Sequence, residues 1–162
     1  MYVAFALGQR WDAGVLLDTD EAGHAAHAKI KEMDVKEYAA ETGHDFRVLM
    51  VGEAAGIKKT DAAIEDLFPD EWFLGCVNRA YGVAIKLEDL PQDGSTLIAK
   101  RVEAALKSRH GRALDKKHVL KEMLKDFDGW GDVKDLPKGT AANAEKLFKK
   151  IEASFTIGNR QS

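Results

Sequence analysis

Residues 14–30 read Gly-Val-Leu-Leu-Asp-Thr-Asp-Glu-Ala-Gly-His-Ala-Ala-His-Ala-Lys-Ile, a short apolar run that ends in Asp-x-Asp and passes through a glycine into a helix-forming stretch. A run so short and so uniformly apolar predicts a buried parallel strand at Gly14–Asp18. A second run, Phe-Arg-Val-Leu-Met-Val at 46–51, predicts another. Strand, helix and parallel strand make a right-handed crossover, and ligands of such folds gather at the carboxyl ends of the strands. Asp18 and Asp20 lie at such an end. They are two residues apart, so on extended backbone both carboxylates leave the same side of the chain and can reach one hard cation. Mg²⁺ is held in this way by one or two carboxylates, with water and substrate phosphate completing its shell. Phosphoryl-transfer chemistry is the expectation.

The chain has 162 residues, of which 45% are apolar, enough for one ordinary domain or a small domain with a helical extension. No run approaches the roughly 18 apolar residues of a membrane span, and the first residues lack the pattern of a signal peptide, so a cytoplasmic protein without membrane partners is expected. The one cysteine, Cys76, forms no internal disulfide and suits a buried position between Leu74 and Val77 on a helix. Net charge is −3, which excludes a global basic field. The bases are nonetheless concentrated within residues 100–125, at Lys100, Arg101, Lys107, Arg109, Arg112, Lys116, Lys117, Lys121 and Lys125. DNA phosphates could track along them. Glu103, Asp115, Glu122 and Asp126 interleave, so on charge alone a solvated helix face is the preferred reading.

Local signals predict α/β followed by α: an α/β domain over residues 1–88 and a helical region over 89–162. Tyr2–Gln9 reads as a short helix. Glu21 should open a helix to about Met33, and Asp34 should cap a second piece through Ala40, ending at Gly43. Gly52–Gly56 reads as a loop. Pro69, Asp70 and Glu71 open a helix to about Tyr81. Val83–Leu87 reads as a short strand. Further helices are expected from Leu97 to about Ser108, from Asp115 to about Phe127, and from Thr140 to Phe155, each with an apolar stripe. His24 and His27 are three apart, but no third ligand is spaced to join them, so they read as a plain helix face.

These residues carry a resemblance. The segment Val-Leu-Leu-Asp-Thr-Asp-Glu-Ala-Gly at 15–23 resembles the Asp-x-Asp motif of the Toprim domain, a Rossmann-like fold of parallel strands with flanking helices shared by topoisomerases, primases and the overcoming-lysogenization-defect (OLD) family of nucleases. Ala-Ile-Glu-Asp-Leu-Phe-Pro-Asp-Glu-Trp-Phe at 63–73, Leu-Asp-Lys-Lys-His-Val-Leu at 114–120 and Asn-Ala-Glu-Lys-Leu-Phe at 143–148 resemble the end of that domain and the helical tail of OLD-like ATP-dependent endonucleases. The resemblance implies a divalent-metal DNA endonuclease, with two metal ions steadying attacking and leaving oxygens. It implies Asp18, Asp20 and Glu65 as Mg²⁺ or Mn²⁺ ligands and Lys116 as a stabiliser of phosphate charge. Asp66 enters either as a second acid or, the preferred reading, as a group that only fixes its loop, and Lys117 competes with Lys116 for its assignment.

The departures matter equally. Toprim sites use a glutamate at the end of an earlier strand, and no acid precedes Asp12 here. Nothing resembles Gly-x-x-x-x-Gly-Lys-Ser/Thr, so no nucleotide site is expected. The resemblance thus implies the C-terminal part of a larger nuclease, a partial Toprim domain with a helical extension, inactive alone and completed by an ATPase or Toprim-completing partner chain. The other class of reading is a non-catalytic interaction or homo-oligomerisation module. A phosphatase-like or receiver-like domain would use the same strand-end aspartates, but Ile-Glu-Asp-Leu-Phe and the helical tail argue against it.

Overall fold

Ala13–Leu17 (β1) and Phe46–Met50 (β2) pair in parallel, in a register that sets Ala13 beside Phe46 and Leu17 beside Met50. The computed structural model describes residues 12–41, 43–92 and 94–155; the helix expected at Tyr2–Gln9 lies outside them. Among the described residues the chain is α/β with this two-stranded sheet, and it is mostly helical. No described helix is long and apolar enough to cross a membrane. The residues divide into two compact units, one running to Ala63 and resuming at Glu145, the other Ile64–Ala144.

In the first unit, Glu21–Glu32 (α1) and Val35–Glu41 (α2) connect the strands. Ala39 and Phe46 are buried among Ala13, Val15, Ile30, Val35 and Val48, which is how the alternating inward residues of both strands find cover. Asp34 separates the two helices with φ 48°, a left-handed conformation that Asp tolerates because its short side chain bonds locally. Val51–Ala55 (α3) follows β2 directly, where a loop is expected from the glycines. Its apolar residues are buried, and Gly56, at φ 67°, ends it.

In the second unit, Asp70–Tyr81 (α4), Ile98–His110 (α5) and Lys116–Gly129 (α6) enclose a core of Phe73, Leu74, Val77, Val102, Leu106, Val119 and Met123. α4 begins after Pro69, as expected, and ends where Gly82 takes the left-handed conformation at φ 63°. The strand expected at Val83–Leu87 does not form. The Asn78 amide takes the place of a neighbouring strand, accepting from Ile85 N at 3.0 Å and donating to Ile85 O at 2.8 Å. Thr140–Phe155 (α7) matches its expected span and begins in this unit, but from Glu145 onward it belongs to the first; there Phe148 is exposed while its neighbour Leu147 is buried. Leu120 and Leu124 of α6 are likewise exposed, so the stripes are narrower than hydrophobicity alone suggests.

Cys76 is buried, with Arg79 Nη2 3.3 Å from its sulfur and Asp126 Oδ2 at 3.8 Å. Burial pushes the thiol from near 9 up to about 11; Arg79 opposes the rise and Asp126 adds to it. The folded chain therefore holds the thiol proton more tightly than the unfolded chain does. That contribution is fully present below about pH 9 and is lost as pH rises towards 11, amounting to on the order of 2 kcal/mol. Urea unfolding at pH 8 and pH 10.5 is expected to show a larger loss for wild type than for Cys76→Ala. Equal losses would refute the assignment.

Candidate functional site

The turn after β1 is anchored through backbone and side chain together. Thr19 N–H donates to Ala62 O at 2.6 Å, and Ala62 N–H returns the bond to Thr19 O at 2.8 Å, an isolated antiparallel bridge. Thr19 Oγ1 accepts from Gly52 N at 2.8 Å, at the start of α3. Asp20 is extended, with φ −141° and ψ −179°, and caps α1 by accepting from Gly23 N at 2.8 Å. One Asp20 oxygen thus serves the first turn of a helix whose amino end also favours its charge. Gly23 packs on the Asp18 carbonyl so closely that a Cβ there would enter the oxygen. Gly52 is also tight, since a Cβ would come within 2.9 Å of Thr19 Oγ1 and 3.1 Å of the Ala62 methyl.

Asp18 and Asp20, both half-buried, are therefore held on a turn fixed by β1, α1, α3 and Ala62. A turn fixed before any ligand arrives loses little order on binding, which is what metal and phosphate sites require. Thr19, Gly23 and Gly52 are the positioning residues that sequence reasoning overlooked. Gly23 left one trace, a poor helix former within the first turn of a helix.

In the second unit, Glu65 and Asp66 lie on the 3₁₀ turn Ile64–Leu67 and are both buried. The turn stays in place through Asn143 Nδ2, which donates to Leu67 O at 3.1 Å. Asp66 Oδ1 accepts from Ile98 N at 3.4 Å, the first residue of α5, whose own N-cap Leu97 offers no side-chain acceptor. Glu65 Oε1 lies 2.6 Å from Lys116 Nζ. The two acids thus differ in role: Asp66 serves backbone, and Glu65 faces a cation. Lys116 opens α6 behind its N-cap Asp115, which accepts from Lys117 N at 2.9 Å.

No family model, curated protein or solved structure matches the chain. The chemistry is therefore read from the residues. Among the described residues no group of three or more His, Cys, Asp or Glu side chains is gathered closely enough to hold a metal ion. Oxygen donors at Asp18 and Asp20 are of the kind that suits a hard cation of the Mg²⁺ or Mn²⁺ type, which one or two protein carboxylates suffice to hold. In the second unit, Glu65 Oε2 is buried and has no hydrogen-bond partner.

The basic stretch is partly neutralised by its own surroundings. Arg101 pairs with Asp70 at 3.4 Å and donates to Pro91 O at 2.9 Å, Arg109 pairs with Asp89 at 2.7 Å, and Lys125 pairs with Glu122 at 2.6 Å. Arg112 donates to Tyr81 O at 2.8 Å. Lys107, Lys117 and Lys121 remain solvent-facing, a smaller positive surface than the sequence count suggests.

Proposed function

We propose that this chain carries the C-terminal Toprim portion and helical tail of an OLD-like, divalent-metal-dependent DNA endonuclease, whose turnover needs the upstream glutamate and ATPase of that family in addition. The observation that carries this reading is the anchored Asp18-Thr19-Asp20 turn at the carboxyl end of a strand in a parallel pair. Asp18 and Asp20 would hold Mg²⁺ or Mn²⁺, and the bound ion would supply a water activated for attack on a phosphodiester. Glu65 as a third acid and Lys116 as a phosphate-charge stabiliser enter on the resemblance of their segments. Thr19 and Gly23 fix the turn, and the Asp20 cap on Gly23 N orients that carboxylate before metal arrives.

Metal titration of the full chain, with Asp18→Ala and Asp20→Ala beside it, tests the proposal. Each substitution is expected to weaken Mn²⁺ binding by at least about tenfold, since even groups that merely support a metal ligand change affinity by roughly that factor. Mn²⁺-dependent plasmid nicking by the isolated chain, which lacks the upstream glutamate, should not rise above background. A wild-type chain that binds no metal and nicks no DNA, while still self-associating, would favour the interaction-module reading instead. Cleavage surviving both substitutions would remove the two aspartates from the mechanism.

A further inference from the structure

Val119 and Met123 turn α6 inward and are buried, yet Leu120 and Leu124, on the adjoining face, are each 47% exposed. With half-buried Phe127 they stand at i, i+4 and i+7, one side of a helix and the spacing of a helix–helix seam. Phe127 carries the apolar surface further, since its ring lies 4.8 Å from that of Trp130, also only half buried. On one flank of the stripe Lys121 and Asp128 adjoin Leu124 at i−3 and i+4. Both are exposed, and among the described residues neither is engaged in an ion pair. The opposite flank is closed: Met123 is buried, and Lys116 is held on Glu65 at 2.6 Å. Large apolar side chains kept in a row in water favour any helix that can lie along them.

We infer that this face binds a second copy of the chain, the two α6 helices packing antiparallel about a two-fold axis at Leu124. The charge pattern selects that occupant. An antiparallel pair related by a two-fold axis sets each flank against the same flank of its partner. With Leu124 beside Leu124 of the partner subunit, Leu120 comes level with Phe127 of the partner subunit, and Lys121 with Asp128 of the partner subunit. Each of the last two contacts occurs twice. Apolar meets apolar and base meets acid, all from one sequence. Parallel packing would instead bring the flank of Lys121 against that of Met123 and Lys116, which offers no acid. The stripe covers only about two turns, so the dimer belongs with weak, reversible associations rather than obligate ones.

Sedimentation equilibrium of the full chain, from micromolar to millimolar concentration, is expected to show a concentration-dependent dimer. Lys121→Asp and Asp128→Lys should each weaken it by about tenfold or more, because each turns two attractions into two repulsions. Combined in one chain they exchange the charges, and the dissociation constant should return to within about threefold of wild type. Leu124→Glu should leave a monomer. All three side chains are exposed, so the fold is expected to survive each change, and circular dichroism checks this. Mild oxidation reads the register: Leu124→Cys should cross-link to itself, Cys76 being buried, whereas the two copies of Lys117→Cys, about 20 Å apart along the helices, should not. A chain that stays monomeric at millimolar concentration, a dimer indifferent to Leu124→Glu, or an exchanged variant no tighter than the single ones overturns the inference. None of these variants touches Asp18 or Asp20, so the endonuclease reading is tested separately by its metal titration.

Discussion

Gly23→Ala is expected to destabilise the protein by about 2–3 kcal/mol, although helix propensity by itself predicts the opposite sign. Alanine in place of glycine within a helix ordinarily gains up to about 1 kcal/mol. At Gly23 the new methyl would enter the carbonyl oxygen of Asp18, which belongs to backbone and has no rotamer through which to withdraw. Overpacking of this kind costs roughly 1–3 kcal/mol, and a helix shifted to relieve it also loses the Asp20 cap on Gly23 N, worth about another 1 kcal/mol. The steric term wins. Gly75→Ala is the matched control, because on α4 its Cβ would meet only the end of the Arg79 side chain at 3.8 Å, an ordinary contact. That variant should be up to about 1 kcal/mol more stable than wild type. Urea denaturation of the three proteins decides it, and equal or greater stability for Gly23→Ala would mean that helix and strand end do not approach so closely. Because the same contact shapes the Asp18–Asp20 turn, Mn²⁺ affinity should fall in Gly23→Ala and stay unchanged in Gly75→Ala.

The features legible from sequence are those with local causes. The start of α4 was legible because Pro69 and two acids act within one turn of their own positions, and its end was expected near Tyr81. The strands were legible as well, since five apolar or alternating residues at a time leave few other structures. What escaped depends on partners distant in sequence. Val83–Leu87 has the composition of a strand, but an asparagine seven residues before Ile85 satisfies its backbone groups in place of a neighbouring strand. α3 escaped because glycine at each side of Glu53-Ala-Ala reads as loop, whereas Gly52 is there to let Thr19 and Ala62 approach. The return of residues from Glu145 onward to the unit that holds the strands left no local mark at all, since a helix stripe does not say which surface it covers. The candidate site divides along the same line. Asp18 and Asp20 announced themselves by position at a strand end, while Thr19, which anchors them, is an unremarkable residue until its bonds to Gly52 and Ala62 are seen.

The adjacent acids Glu65 and Asp66 cannot be told apart in sequence, and substitutions should now separate them. Asp66→Ala is expected to cost about 2–3 kcal/mol. Ile98 is fully buried, so its N–H, deprived of Asp66 Oδ1, is stranded at a helix start with no acceptor from Leu97. An unsatisfied buried donor costs roughly 1–3 kcal/mol, and removing a negative charge from the amino end of α5 adds up to about 1 kcal/mol. Asp66→Asn keeps an acceptor oxygen and loses only the charge, so its cost should stay near 1 kcal/mol. Glu65 serves no backbone group through its side chain, and its contact is with Lys116, which is half in solvent. Glu65→Gln should therefore be close to neutral for stability, because it gives up a screened ion pair while its amide oxygen can still accept from Lys116 Nζ. The ordering Asp66→Ala, then Asp66→Asn, then Glu65→Gln in unfolding free energy is the expected result. Amide exchange at Ile98 and Ala99 should speed up in Asp66→Ala alone, reporting the frayed first turn of α5. Should Glu65→Gln prove the most destabilising of the three, Glu65 would be the structural acid, and its place in any metal chemistry would pass to Asp66.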